Sequence, residues 1–133
     1  MLSLRLLALA AISLVLTACS RAGADQQDQQ ARMAASWTST AVLVLDGWLS
    51  SAVPNHYARR TSQTVSKQLS DLTDEQQGEP DAAVRQRQMQ QATETLRRAE
   101  RGIEASDRAA VQNSRNELAA AAANFRKQAR HGQ

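Results

Sequence analysis

The chain has 133 residues, which is enough for one domain and leaves little room for a second hydrophobic core. A single cysteine, Cys19, excludes an intrachain disulfide and a zinc site built from several thiolates of this chain. The net charge of +3 is modest and no Lys/Arg run exceeds two residues, so we expect no nucleic-acid partner. Alanine occupies 25 positions while aromatic residues make up only 3%, which predicts a thin core.

The start of the chain, up to Ser20, has the pattern of a targeting signal. Arg5 supplies a short positive end, and residues 6–16 form an apolar run. A membrane-spanning helix needs about 20 apolar residues, so the run is too short to span and is typical of the apolar region of a signal peptide. The apolar run ends at Leu16, which is followed by Thr17, Ala18 and Cys19.

This tetrapeptide resembles the lipobox of bacterial lipoproteins: a leucine, two small residues and a cysteine, placed directly after an apolar run. The resemblance covers only the segment up to Ser20. It implies that the Cys19 thiol receives a diacylglyceryl group, that the preceding peptide is removed, and that the new amino group is acylated. Two or more acyl chains give stable membrane attachment where one does not. The alternatives are an ordinary secretory signal with a coincidental cysteine, or an uncleaved anchor.

The resemblance also divides the chain and implies a location. Residues 1–18 would be the lipoprotein signal peptide, residues 19–24 a lipidated tether, and residues 25–133 a helical bundle domain. In Gram-negative lipoproteins, aspartate after the cysteine favours retention in the inner membrane. Ser20 stands at that place, which implies the periplasmic face of the outer membrane. Beyond the lipobox, the chain is similar only to small helical lipoproteins of Proteobacteria.

The sequence after the tether predicts helices throughout. Asp25 can cap a first helix over residues 26–51, because its carboxylate accepts amide hydrogens of the first turn. Spacings of four, three and four residues place large apolar and alanine side chains on one face of this helix. That face comprises Trp37, Ala41, Val44 and Trp48, widened by Val42, Leu43 and Leu45. We favour core packing for the two tryptophans over binding of a glycan or a partner helix.

Three further helices follow from the same spacing rule. Pro54 opens a second helix that ends near Leu72, and Pro80 opens a third. The apolar positions lie three, four or seven residues apart in each helix. They are Ala58, Val65, Leu69 and Leu72 in the second; Met89, Ala92, Leu96, Ala99 and Ile103 in the third; and Val111, Leu118, Ala122, Phe125 and Ala129 in the last.

The boundary between the last two helices follows from the phase of these positions. Val111 follows Ile103 by eight residues, so on one straight helix the second apolar stripe would be turned about 80° from the first. A break near Ser106-Asp107 removes the conflict, with Asp107 as a new N-cap. The alternative is one continuous helix of about 50 residues. The fold class is thus an all-α, antiparallel up-down bundle of four helices, or of three if the last two are continuous.

Candidate chemistry is sparse. The two histidines, His56 and His131, have no second ligand at helical spacing, so no metal site is predicted. With Cys19 consumed by lipidation and no glycine-rich phosphate loop, we expect no enzyme, and no cofactor other than the covalent lipid. The thin core makes a homo-oligomer or an envelope protein partner plausible, because either would cover spare apolar surface on the first helix.

One local cluster, Asn55, His56, Arg59 and Arg60, has the parts of an anion site; we call it the corner. It places the free amide hydrogens of a helix start beside two guanidinium groups. The alternative, which we favour, is a structural turn in which Asp46 pairs with Arg59 or Arg60. Residues 81–133 carry most of the basic charge, interleaved along helical positions, which favours a solvated face over a binding stripe.

Two classes of function remain. The first, which we prefer, is a lipid-anchored, periplasm-facing and non-enzymatic adaptor or structural component of the cell envelope. The second is a lipoprotein that binds an anionic ligand, either a lipid headgroup or a cell-wall polymer. It would use the corner or the basic second half.

Overall fold

The computed structural model describes the backbone of residues 2–75 and 82–131, with the side chains of residues 26–75 and 82–130. Within these ranges the chain forms four helices and no strand, so the all-α class is confirmed. The elements are α1 (Leu2–Leu49), α2 (Asn55–Glu75), α3 (Ala83–Glu104) and α4 (Arg108–His131). Pro80, predicted to open the third helix, lies outside the described residues.

The four helices form a closed ring around one core. Each helix packs on the next in the chain, and α4 packs back on α1, so that the described parts of α2 and α4 lie diagonally opposite each other. The largest interfaces are α1–α4 and α2–α3. Side-chain contacts show neighbouring helices to be antiparallel: Asp46, near the end of α1, meets Arg115 near the start of α4, and Arg59 of early α2 meets Glu104 at the end of α3. The predicted up-down bundle is therefore confirmed.

The apolar positions predicted for α2, α3 and α4 form the core. All fourteen that the spacing rule selects are buried: Ala58, Val65, Leu69, Leu72, Met89, Ala92, Leu96, Ala99, Ile103, Val111, Leu118, Ala122, Phe125 and Ala129. Short alanine side chains at several of these positions let the helix axes approach closely. Dispersion contacts between the helices then partly replace the burial of large side chains.

The predicted face of α1 needs a correction. Ala41 and Trp48 are buried as expected, but Trp37 and Val44 are only partly buried, and Leu43 is 72% exposed. The buried face centres instead on Ala31, Ala34, Thr38, Ala41, Leu45 and Trp48. A helix in a ring of four buries only the side between its two neighbours, so an apolar segment wider than that side leaves part of its surface in solvent.

The start of α1 also differs from the prediction. The helix is continuous from Leu2, so Asp25 does not begin it and the backbone of residues 20–24 continues it. Alanine is the strongest helix former, and the lone Gly23 costs only about 1 kcal/mol, too little to end a helix by itself. The side chains of Cys19 and Ser20 lie outside the described residues, and the division of the chain after residue 18 stays a prediction.

The break between α3 and α4 is where the phase argument places it. Asp107 lies in the connection, and its carboxylate Oδ1 accepts the N–H of Ala110 at 3.1 Å, as an N-cap does. The continuous helix is therefore wrong. Two separate helices let Val111 and Leu118 turn into the core while Arg97 and Glu104 stay exposed.

The helices α1 and α3 end in the same way. Ser51 (φ 64°) and Ser106 (φ 53°) both adopt the left-handed backbone conformation. In each case the next residue donates its N–H to the carbonyl of a glycine five residues earlier, Gly47 or Gly102, at 2.8 Å. This is the Schellman ending, which satisfies carbonyls that a helix terminus leaves free.

The two hairpins, α1–α2 and α3–α4, share further features at corresponding positions. Thr38 and Thr93 each donate a hydroxyl hydrogen bond to the carbonyl four residues earlier, and Gly47 and Gly102 occupy equivalent places before the turns. An approximate twofold axis along the bundle would relate α1 to α3 and α2 to α4. It would make α1–α4 and α2–α3 equivalent interfaces, and these are the two largest.

Substitution of Gly102 by alanine is expected to destabilise the fold. A Cβ at this position would lie 2.8 Å from Cγ2 of Val111, a fully buried and β-branched side chain with little freedom to rotate away. We expect Gly102→Ala to lower the free energy of unfolding by about 1 kcal/mol or more, despite alanine's higher helix propensity. Urea denaturation measures the effect. In a Val111→Ala background the same substitution should cost less, and equal costs in both backgrounds would contradict the contact.

Candidate functional site

The corner lies at the start of α2, and two of its four side chains bind side chains of neighbouring helices. The indole Nε1–H of Trp48 donates to Asn55 Oδ1 at 2.6 Å, and Arg59 forms an ion pair with Glu104 at 2.7 Å. His56 and Arg60 are exposed. The structure therefore brings the four residues to one end of the bundle, but it uses Asn55 and Arg59 to join α2 to its neighbours.

Ion pairs do hold the corner in place, as the structural-turn interpretation expects, but the residues that form them differ from those predicted. Arg59 pairs with Glu104 rather than Asp46, because the ring places the end of α3 beside the start of α2. Asp46 instead accepts two hydrogen bonds from Arg115, at 2.7 and 3.2 Å, which join the end of α1 to α4. The hydrogen bond and the charge of Asp46 raise the pKa of the Arg115 guanidinium.

A second cross-helix pair joins α3 to α4. The guanidinium of Arg98 donates to Glu117 Oε2 at 2.6 Å, and the Thr95 hydroxyl donates to the same oxygen at 3.1 Å. The hydrogen bond from Arg98 is the main cause of the lowered pKa of Glu117; the Thr95 bond and the charge of Arg98 add to it, and partial burial opposes them.

This lowered pKa predicts a pH-dependent contribution to stability. A carboxylate with a lower pKa in the folded state stabilises the fold above its unfolded-state pKa, and the contribution is lost as pH falls through the folded-state pKa. We expect Arg98→Gln to lower the free energy of unfolding by less than about 1 kcal/mol at neutral pH, because the pair is solvent-screened. The difference should vanish in acid, as urea titrations can measure. Arg87→Gln, which removes an exposed charge of α3 elsewhere, should give no such pH dependence.

The basic charge of the second half is distributed unevenly along the bundle. Towards the corner, arginines of α3 and α4 pair with carboxylates: Arg97 and Arg101 with Glu94, Arg98 with Glu117, and Arg115 with Asp46. Towards the opposite end, residues 83–93 and 118–130 contain no acidic residue. They carry Arg85, Arg87, Arg126, Lys127 and Arg130. These stretches of α3 and α4, which we call the basic end, therefore carry basic charges alone, while the adjacent last turns of α2 carry Asp71, Asp74 and Glu75.

A groove between α1 and α4 lies at this end of the bundle. Its volume is about 500 Å³, and it is lined by Arg32, Ala35, Ser36, Ser39, Arg126, Ala129 and Arg130. Arg126 Nη1 donates to Ser39 Oγ at 3.2 Å, and Arg32 forms an ion pair with Asp28 at 2.8 Å. Three guanidinium groups thus border a groove with a floor of small side chains; we call it the α1–α4 groove.

A smaller cavity of about 340 Å³ lies between the two turns at the corner end. It borders Trp48, which is 7% exposed and has the guanidinium carbon of Arg108 at 5.8 Å from its ring centroid. Arg108 also donates to the carbonyl of Leu49. The core interpretation of Trp48 is confirmed, and that of Trp37 in part. Because Arg108 covers the indole face, the ring is not open for a sugar to stack on it.

Among the described residues, no group of three or more His, Cys, Asp or Glu side chains is placed to hold a metal ion. The side chain of His131 lies outside them. Over the same part of the chain, no helix combines the length and the apolar character that crossing a bilayer requires. No protein family, curated protein or solved structure matches this chain.

The α1–α4 groove was not predicted from the sequence. The absence of acidic residues after Glu117, with Arg126, Lys127 and Arg130 on adjacent turns, is a signal that could have indicated its α4 side. The α1 side could not have been found in this way, because Arg32 joins the group only through the packing of α1 against α4.

Proposed function

We propose that the chain is a lipid-anchored, non-enzymatic lipoprotein that acts as an adaptor or structural component on the periplasmic face of the outer membrane. The observation that carries the proposal is the sequence Leu16-Thr17-Ala18-Cys19 at the end of the apolar run of residues 6–16. Supporting it, α1 runs without a break from this segment into the bundle. Acylation of Cys19 would therefore tie the lipid to one end of a folded domain.

The course of α1 defines the two ends of the bundle relative to such an anchor. Residues 26–49 of α1 rise by roughly 35 Å. The corner follows Leu49, so it lies at the end of the bundle that is distant from Cys19. The basic end and the α1–α4 groove lie at the near end. An adaptor built in this way would present the corner and its exposed neighbour Tyr57 away from its lipid.

Binding of an anionic ligand is the second candidate, and the basic end is the observation that favours it. Residues 83–93 of α3 and 118–130 of α4 contain no acidic residue, and they carry Arg85, Arg87, Arg126, Lys127 and Arg130. The corner supports this candidate less, because Asn55 and Arg59 already bind Trp48 and Glu104.

Site-specific photo-crosslinking in cells separates the two candidates. A photoreactive amino acid would replace Tyr57 at the far end or Val84 at the basic end, both of which are exposed. An adaptor should give one reproducible protein adduct from at least one of these positions. A ligand-binding lipoprotein should give adducts with lipid or peptidoglycan only. High salt during irradiation should prevent their formation, because it screens the charges that hold the ligand. The photoreactive residue at the fully buried Leu118 is the control and should give neither adduct.

A further inference from the structure

We propose that the α1–α4 groove binds the phosphate of an anionic phospholipid headgroup in the membrane that carries the anchor. The inference rests on the proposed function in one respect, since the anchor at Cys19 determines which end of the bundle lies near the membrane. It adds a ligand, a site and an orientation of the domain.

The groove has the donors that a phosphate requires. Arg126 and Arg130 stand one turn apart on α4, and Arg32 faces them from α1. A guanidinium offers several N–H donors in a planar fork that matches two oxygens of a phosphate. Ser39 accepts one hydrogen bond from Arg126, which holds that side chain at the groove and leaves the serine hydroxyl hydrogen free to donate to a ligand.

The groove also has the volume and the positive charge that a phosphate headgroup requires. Its volume of about 500 Å³ falls within the usual range of small-ligand sites, and the buried Ala35 and Ala129 leave its floor open. The carboxylate that pairs with a groove arginine is Asp28, which Arg32 binds at 2.8 Å. Within the described ranges, Arg126 and Arg130 have no carboxylate at ion-pair distance, and the exposed Lys127 adds a further positive charge beside them.

The α1–α4 groove lies at the end of the bundle that holds the proposed anchor. Arg32 is thirteen residues from Cys19, or about 20 Å along a helix. Charges interact over a Debye length of only ~8–10 Å, so headgroup binding requires the near end of the bundle to incline until the groove faces the bilayer.

Titration of the purified protein with a water-soluble lipid tests the site. The protein, extracted from membranes in neutral detergent, is titrated calorimetrically with dihexanoyl phosphatidylglycerol, dihexanoyl phosphatidylcholine and inorganic phosphate. We expect saturable binding of the phosphatidylglycerol that weakens with salt, and no binding of the zwitterionic lipid. The double variant Arg126→Gln/Arg130→Gln should bind roughly tenfold more weakly or not at all. Inorganic phosphate binding as tightly as the phosphatidylglycerol would overturn the assignment to a headgroup.

Two matched variants keep the test decisive. Lys67→Gln/Arg97→Gln removes the same charge from exposed positions of α2 and α3, away from the groove and from the corner, and should bind like the wild type. Arg126→Lys/Arg130→Lys keeps the charge and should retain part of the affinity. Equal affinity of the wild type and the Arg126→Gln/Arg130→Gln protein, both folded by circular dichroism, would refute the site. The mass of the same preparation reports lipid on Cys19 separately, so failure of the anchor and failure of the groove are distinguishable.

Discussion

Replacement of Cys19 by serine is expected to abolish lipid attachment and to remove the protein from detergent-extracted outer-membrane fractions. Serine has no thiol to receive the diacylglyceryl group, and each methylene of a buried acyl chain contributes about 0.8 kcal/mol to membrane binding. The effect should be near-complete rather than graded. Metabolic labelling with a radioactive fatty acid, followed by membrane fractionation and gel analysis, measures both attachment and location.

Two neighbouring substitutions give this experiment its controls. Ser20→Ala should keep the label and the location, since the cysteine is intact. Ser20→Asp should keep the label but shift the protein towards the inner membrane, if the chain follows the sorting rule of Gram-negative lipoproteins. Unchanged size, labelling and location in the Cys19→Ser protein would contradict the lipid anchor.

Replacement of Phe125 by alanine is expected to cost about 3–5 kcal/mol of the free energy of unfolding. Phe125 is fully buried and is the largest of the completely enclosed side chains among the described residues. Its truncation leaves a cavity, and the rigid neighbouring helices close such a space only in part. Since a domain of this size has a stability of only about 5–15 kcal/mol, a large share would be lost from a core already thin in bulky residues. Urea denaturation followed by circular dichroism measures the change.

Tyr57 provides the matched control for this experiment. It is also an aromatic residue on a helix, but 58% of it is exposed, so Tyr57→Ala should alter stability by no more than about 0.5 kcal/mol. A loss below about 1 kcal/mol for Phe125→Ala would show that the helices around it do not pack as described.

The parts of the fold that sequence could predict are those governed by local signals. The apolar spacing in α2, α3 and α4 selected core residues correctly, because a helix turns by a fixed angle per residue and one side must be buried. The break before α4 was predictable for the same reason, with Asp107 as a short-range capping signal.

The parts that depend on which helices meet could not be predicted. The segment of α1 around Leu43 is apolar on several sides, and only the positions of α2 and α4 determine which side is buried. The partners of Arg59 and Asp46 lie on α3 and α4, too far along the chain for any spacing rule. The α1–α4 groove depends on the same long-range packing. The repeated glycine and serine at Gly47, Ser51, Gly102 and Ser106 was visible in the sequence, and it marks the two similar turns.

The arrangement of the bundle connects the proposed anchor to both candidate functions. A lipid on Cys19 would place the basic end near the membrane and the corner far from it, because α1 runs between them. The corner could then meet a partner in the periplasm, while the α1–α4 groove could bind headgroups. These roles do not compete for the same residues, so variants at Arg126 and Arg130 should leave contacts of Tyr57 unchanged.

The intact mass of the protein purified from membranes tests the central claim most directly. We predict a chain that begins at Cys19 and carries a diacylglyceryl group on its thiol and an acyl group on its amine, so that fragmentation locates the added mass on this residue. An unmodified Cys19, in a chain that keeps residues 1–18 or is cleaved at another position, would contradict the lipoprotein assignment.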